Sequence, residues 1–121
     1  MTAKKWKSLI VKKTKEAGTY EKIFDPVIDT LAHILEERDR VRDQYIEEGC
    51  QALVDFNLDR GGSNKKKNPL LAIWQEADRD ALQYWRDLGL TPAGLRKINE
   101  EALAKQNNMS ALDKVLANLE K

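Results

Sequence analysis

Each of the chain's three prolines directly follows a residue able to cap a helix: Asp25-Pro26, Asn68-Pro69 and Thr91-Pro92. The side-chain oxygen of Asp, Asn or Thr accepts from an unpaired N–H of the first helical turn, and proline has no N–H there to leave unsatisfied. Three helix starts are thereby fixed at Pro26, Pro69 and Pro92. Gly18, Gly49 and Gly89 supply matching stops, since glycine enters the left-handed conformation that ends a helix without a Cβ penalty. This punctuation constrains the chain to a mainly α fold.

Apolar spacing agrees with the punctuation. Ahead of Gly18, Trp6, Leu9 and Ile10 share one side of a 3.6-residue period and lysines fill most of the rest, which predicts a short basic amphipathic helix. From Pro26 to about Glu48, Val27, Ile28, Leu31, Ile34, Leu35, Val41 and Tyr45 recur at three- and four-residue steps, predicting a long central helix. Its outward side is expected to carry Glu36, Glu37, Arg38, Asp39, Arg40, Arg42 and Asp43, whose alternating signs suit either a solvated face or helix-surface and interhelix ion pairs, with His33 at the boundary of the apolar stripe. A second strong helix follows Pro69, with Leu70, Ile73, Trp74, Ala77, Ala81, Leu82, Trp85 and Leu88 as its apolar set. The helix from Pro92 is expected to end near Lys105, with Leu95, Ile98, Ala102 and Leu103 inward. Gln106-Asn107-Asn108 then reads as a loop, and Ser110 as the cap of a last helix burying Leu112, Val115, Leu116 and Leu119.

The stretch 51–58 has a different period. Ala52, Val54, Phe56 and Leu58 alternate with Leu53, Asp55, Asn57 and Asp59, which favours an extended strand over a helix. No second strand of equal quality appears, so its ladder groups need either a self-hairpin or a neighbouring copy of the protein. Arg60-Gly61-Gly62-Ser63-Asn64 reads as a turn or flexible loop and lacks the lysine and Ser/Thr of a phosphate-cradling loop. The expectation is one small helical domain that forms oligomers, with a long central helix, a helical hairpin around Gly89 and Pro92, and one short β segment. Its parts are a basic N-terminal helix (1–18), a helical core (19–105) and a C-terminal helical tail (106–121).

The chemistry-bearing residues are few. One cysteine, Cys50, and one histidine, His33, are too few for a disulfide or a Cys/His metal site, and no nucleophile–base pair, carboxylate pair or glycine-rich nucleotide loop is present. Neither catalysis nor a cofactor is expected, and binding or assembly is left. No apolar run approaches the ~18 residues of a spanning helix, and three large apolar side chains are a small anchor for an interfacial one. The net charge of +1 conceals a segregation: the first fifteen residues hold six lysines and no acid, and Lys65, Lys66 and Lys67 form a second basic cluster. Either cluster can be a solvated face or meet a polyanion. The lysines before Pro69 also precede a helix N-terminus, where free N–H groups and the helix dipole favour an anion. The two helices around Gly89 could be a structural hairpin or a helix-turn-helix, though the acids Glu100 and Glu101 beside Arg96, Lys97 and Lys105 suit a phosphate-facing helix poorly.

Two segments, Lys67-Asn68-Pro69-Leu70-Leu71 and Ala81-Leu82-Gln83-Tyr84-Trp85-Arg86-Asp87-Leu88-Gly89-Leu90-Thr91-Pro92-Ala93-Gly94-Leu95-Arg96-Lys97-Ile98, resemble the most characteristic part of a large family of phage terminase small subunits. The earlier part, from Gly18-Thr19-Tyr20 through Asp25-Pro26 to Gly49, is similar to the same family, so the resemblance covers about 6–98. It implies a ring-forming protein without a catalytic centre, which recognises double-stranded viral DNA and regulates the ATPase and nuclease activities of the large subunit in the cytoplasm of an infected or lysogenic bacterium. It supplies no DNA contacts residue by residue. On charge, the candidates are Lys4, Lys5, Lys7, Lys12 and Lys13, with Lys65, Lys66 and Lys67 as a second set. Leu53, Val54, Phe56 and Trp74 are candidates either for a subunit interface or for intrachain core. The alternatives are a helical adaptor that binds only proteins, with no DNA affinity, and a prophage helix-turn-helix regulator that depends on Arg96 and Lys97.

Overall fold

In the computed structural model, which describes residues 1–57 and 61–119, the chain runs through helix α1 (Ala3–Ala17), a 3-10 turn (Lys22–Phe24), helix α2 (Asp25–Glu47), strands β1 (Leu53–Asn57) and β2 (Ser63–Lys67), and helices α3 (Pro69–Asp87) and α4 (Pro92–Leu119). Helix α2 is the centre, with α1 packed on one flank and α3 on another. Among the described residues the fully buried apolar side chains are Ile10 from α1 and Ile28, Leu31, Ala32 and Leu35 from α2, joined by the nearly buried Ala81 and Leu88 from the α3 end. Trp6, Tyr20, Val27, Ile34, Tyr84, Trp85 and Leu90 pack around them. The fold is therefore mainly α, as the capping pattern predicts.

Two of the three proline devices work as read. Asn68 Oδ1 accepts from Leu70 N at 3.0 Å and Thr91 Oγ1 accepts from Gly94 N at 3.0 Å, each one residue before a proline that opens a helix. Asp25 is different: its backbone is already helical (φ −53°, ψ −43°) and its N–H donates to the Lys22 carbonyl, because the 3-10 turn runs straight into α2. A residue with helical backbone cannot cap, and the Asp25 carboxylate instead accepts from the Tyr20 hydroxyl at 3.0 Å.

Of the two ladder partners open to the predicted strand, a self-hairpin and a neighbouring copy, the chain uses the self-hairpin: Ser63–Lys67 pair antiparallel with Leu53–Asn57, Leu53 opposite Lys67 and Asp55 opposite Lys65. Three further expectations are corrected, the first being the reading of Ser63 and Asn64 as turn residues, since the whole of Ser63–Lys67 is strand. Their weak β propensity is overridden by pairing with β1, and Gly61 and Gly62 take the left-handed φ values of 78° and 102° at the reversal. Leu58, placed in the strand from sequence, lies outside the described residues. Next, Gln106, Asn107 and Asn108 are helical and Ser110 sits inside α4 rather than capping a new helix. With no Gly or Pro in the run, its propensity cost of a few tenths of a kcal/mol per residue does not break a helix. Finally, Leu103, Leu112, Val115, Leu116 and Leu119, expected inward, are at least half exposed.

Candidate nucleic-acid interface

Helix α1 begins with Lys4 and Lys5 in its first turn and no acid there, an arrangement that the helix dipole disfavours. The remedy comes from α2. Glu36 Oε2 accepts from Ala3 N at 2.6 Å, and Thr2 Oγ1 accepts from Lys5 N at 3.3 Å. Asp39, expected on the outward side, is buried at 3% exposure. Its carboxylate accepts from the Met1 ammonium (3.0 Å), the Trp6 indole N–H (2.7 Å) and Arg38 (2.9 Å), and Arg42 lies 3.5 Å away. Burial pushes this carboxyl's pKa up, but hydrogen bonds from the ammonium, Trp6 and Arg38, with the Arg38 charge, outweigh it and hold the pKa below the usual carboxylate value. Arg38 also lies over the Trp6 ring at 5.4 Å and reaches Asp78 of α3 at 3.4 Å, so one cluster ties three helices together.

At the other end of α1, Gly18 (φ 77°) donates to the Lys15 carbonyl and Thr19 N donates to Thr14 O at 2.9 Å. Thr19 Oγ1 then donates to Leu88 O at 2.7 Å, and its methyl occupies the space that a Cβ on Gly89 would need. The α3–α4 turn is thus fastened to the end of α1. Gly94 lies so close to the Arg86 carbonyl that any Cβ would overlap it, so the two helices cross at near backbone contact.

With both ends fixed and Ile10 and Thr14 buried, the direction of each lysine follows from about 100° per residue. Lys4, Lys5, Lys12 and Lys15, with Ser8, fall on the arc opposite the buried side. Lys4, Lys5 and Lys12 are exposed and form no ion pair among the described residues. Two of the candidates are engaged: Lys7 pairs with Asp29 at 3.7 Å and Lys13 with Glu16 at 3.3 Å. Lys15, absent from the charge-based candidates, belongs to the outward set and lies 5.1 Å from the Tyr20 ring. Tyr20 is itself shifted: its hydrogen bond to Asp25, with burial and the Asp25 charge, raises its pKa.

The second cluster is presented on a strand rather than a loop. Alternation puts Lys65 and Lys67 on one face of the hairpin and Lys66 on the other. Lys65 stands opposite Asp55, and Lys67 Nζ donates to Gln75 Oε1 at 3.4 Å. The nearby N-terminus of α3 is already served by Asn68, which is buried and also donates to Gln51 O at 2.9 Å. Among the four apolar candidates, Leu53 is exposed and Val54 half-buried. Trp74 packs within the chain against Tyr45, ring centroids 5.8 Å apart at 57°. The Phe56 side chain lies outside the described residues. Around Gly89, a shallow cleft between the end of α3 and the start of α4 mixes Arg86 and Lys97 with Asp87 and Glu101.

Among the described residues no group of three or more His, Cys, Asp or Glu side chains could hold a metal, and no helix is long and apolar enough to cross a membrane. Glu36 and Asp39 were read from sequence only as outward charges, and Thr19 and Gly94 only as part of the family resemblance; for Asp39 the available signal was Trp6 on the apolar side of α1, whose indole N–H requires an acceptor once it packs.

No solved structure matches the chain. The chain is similar, at 34% identity over 113 residues, to an arginine–tRNA ligase of Desulforudis audaxviator (strain MP104C), where the match takes in 89% of this chain but spans only 18% of that protein's length. Residues 3–114, which include α1, the hairpin, the Gly89 turn and most of α4, match the family described as phage terminase, small subunit, and the chain belongs to that family.

Proposed function

We propose that the protein acts as the DNA-binding, regulatory subunit of a phage packaging terminase: it assembles with copies of itself into a ring, holds duplex viral DNA through α1, and controls a large subunit that carries the ATPase and nuclease activities. Its work is done in the cytoplasm of the bacterial host, without a cofactor or a catalytic centre of its own. The observation that carries the reading is the outward set Lys4, Lys5, Lys12 and Lys15 on a helix clamped by Glu36 and Asp39. Lysines on a fixed scaffold meet phosphates at a set spacing and carry no base information, so binding is expected to be mostly backbone and shape readout. Repetition around a ring multiplies a modest patch into useful affinity. Lys7, Lys13 and the hairpin's Lys65, Lys66 and Lys67 are secondary contacts.

The test is duplex binding by fluorescence anisotropy across a salt series. Each phosphate neutralised contributes about −0.9 to the slope of log affinity against log salt. Changing Lys4, Lys5 and Lys12 to alanine is expected to flatten that slope by roughly that amount for each lysine in contact. A slope unchanged by the substitutions moves the site off α1. Loss of binding on changing Arg96 and Lys97 instead points to the helix-turn-helix regulator, and no DNA affinity in either form points to the protein-only adaptor.

A further inference from the structure

We propose that the β1–β2 hairpin is a groove-reading ribbon: it enters the major groove of duplex DNA end-on, its lysines meeting the phosphates on both walls and Asn64 reading an adenine edge. This deepens the DNA-holding role proposed above, on which it rests, by assigning the groove and a base contact. The hairpin is anchored at its base, where Asn68 N donates to Ala52 O at 2.8 Å, Asn68 Nδ2 to Gln51 O at 2.9 Å and Lys67 Nζ to Gln75 Oε1 of α3 at 3.4 Å. Beyond that base β1 and β2 pack on each other rather than on a helix, and Leu53, Asp55, Asn64, Lys65, Lys66 and Lys67 are all exposed. A two-stranded hairpin standing off its core is marginally stable in water, which calls for a partner to order it.

Charge and shape select that partner. The two strands hold three lysines and one acid, Asp55, which suits a polyanion. Alternation points Lys65 and Lys67 to one side of the ribbon and Asn64 and Lys66 to the other. A ribbon laid flat on a charged surface would gather its cations on one face, whereas cations on both faces suit a ribbon with a phosphate strand on either side. With its side chains a ribbon is about 10 Å thick, by the spacing of packed sheets. That fits a major groove about 12 Å wide and not a minor groove of about 6 Å.

Asn64 precedes the lysines on the turn side, so in the groove it reaches deeper than they do. Its Oδ1 accepts from Lys65 N at 2.9 Å, which holds the amide in place. The second lone pair of that oxygen and Nδ2 are left for adenine N6 and N7, the pair that asparagine recognises in the major groove. The hairpin also stands at the end of the molecule where α1 begins. Helix α1 runs antiparallel to α2, Met1 lying at Asp39 and Lys7 at Asp29, and α2 continues from Asp39 to Glu47, only about 12 Å at 1.5 Å per residue.

The experiment measures anisotropy of the full chain at low salt on a duplex of mixed sequence, either plain or with its cytosines 5-hydroxymethylated and glucosylated, which fills the major groove alone. Glucosylation is expected to weaken the wild type by about tenfold, the worth of a few phosphate contacts, and to leave the variant with Lys65→Ala, Lys66→Ala and Lys67→Ala unaffected, since that variant holds both duplexes through α1. Selection from a randomised duplex pool is expected to enrich an adenine at one position with the wild type and to lose it with Asn64→Ala. Equal wild-type affinity for the two duplexes, or an equal penalty in the triple variant, overturns the groove insertion, leaves the α1 reading standing and returns the hairpin edge to a protein strand. The same adenine enriched with Asn64→Ala, or none with the wild type, overturns the base contact. A wild type that binds neither duplex overturns both the hairpin and the α1 readings.

Discussion

An aspartate in a run of charges on a helix ordinarily faces water, and Asp39 does not, because Trp6 brings an indole N–H that must find an acceptor once α1 packs down. The sequence pattern around 36–43 resembles a solvated face, and alternation of charge alone does not show which carboxylate a distant residue will claim. Asp39→Asn keeps the volume but removes the charge that Arg38 and the ammonium share, and is expected to cost about 2–3 kcal/mol, read as a lower urea midpoint. Because the folded pKa is depressed, this contribution is fully present above the unfolded carboxyl value of about 3.9 and is lost as pH falls through the folded value. The wild type is therefore expected to lose stability below about pH 4 more steeply than the Asp39→Asn variant, by thermal melts across that range. For Tyr20 the sign is opposite: its raised pKa means that the Tyr20–Asp25 contribution holds below the unfolded value of about 10 and is lost as pH rises through the folded one. Tyr20→Phe is expected to remove that part of the alkaline loss in the same melts.

Elements were legible wherever local chemistry decided them. Asn68-Pro69 and Thr91-Pro92 open helices by their own side chains, and Gly18 and Gly89 close them with left-handed backbones. What was not legible depended on partners distant in the chain: β2 exists because β1 pairs with it, and Asp25 lost its capping role to a 3-10 turn that no proline or glycine announces. Gln106–Asn108 read as a loop on composition and stayed helical for lack of a true breaker. At this scale Gly94 separates two effects of opposite sign. Helix propensity alone would make Gly94→Ala stabilising by about 1 kcal/mol, but the new Cβ overlaps the Arg86 carbonyl and must push α3 and α4 apart. Overpacking of this kind costs about 1–3 kcal/mol, so the variant is expected to be neutral to clearly destabilised in urea unfolding, and a gain in stability would contradict the close crossing.

For the whole molecule, a net charge of +1 says little, and the segregation of charge says more. Of the eight lysines read as DNA contacts, the structure sets Lys4, Lys5 and Lys12 outward and joins Lys15 to them. It engages Lys7 and Lys13 with carboxylates and splits Lys65, Lys66 and Lys67 between two faces of a hairpin. The lysine run was visible in the sequence, while its division into outward and engaged members required the direction set by buried Ile10 and Thr14. The apolar steps of the tail were visible too, but not that this chain leaves them uncovered.

The most direct test of the central claim is the mass of the species on a sizing column with light scattering, with and without duplex DNA, at low and at moderate salt. The wild type is compared with the variant in which Lys4, Lys5, Lys12 and Lys15 are alanine. The expected result is an oligomer whose mass rises by that of bound DNA at low salt, loses it at moderate salt, and gains none in the variant although the oligomer persists. A single chain, or an oligomer indifferent to DNA at both salts, would contradict the account and leave family membership and fold without the DNA-holding role.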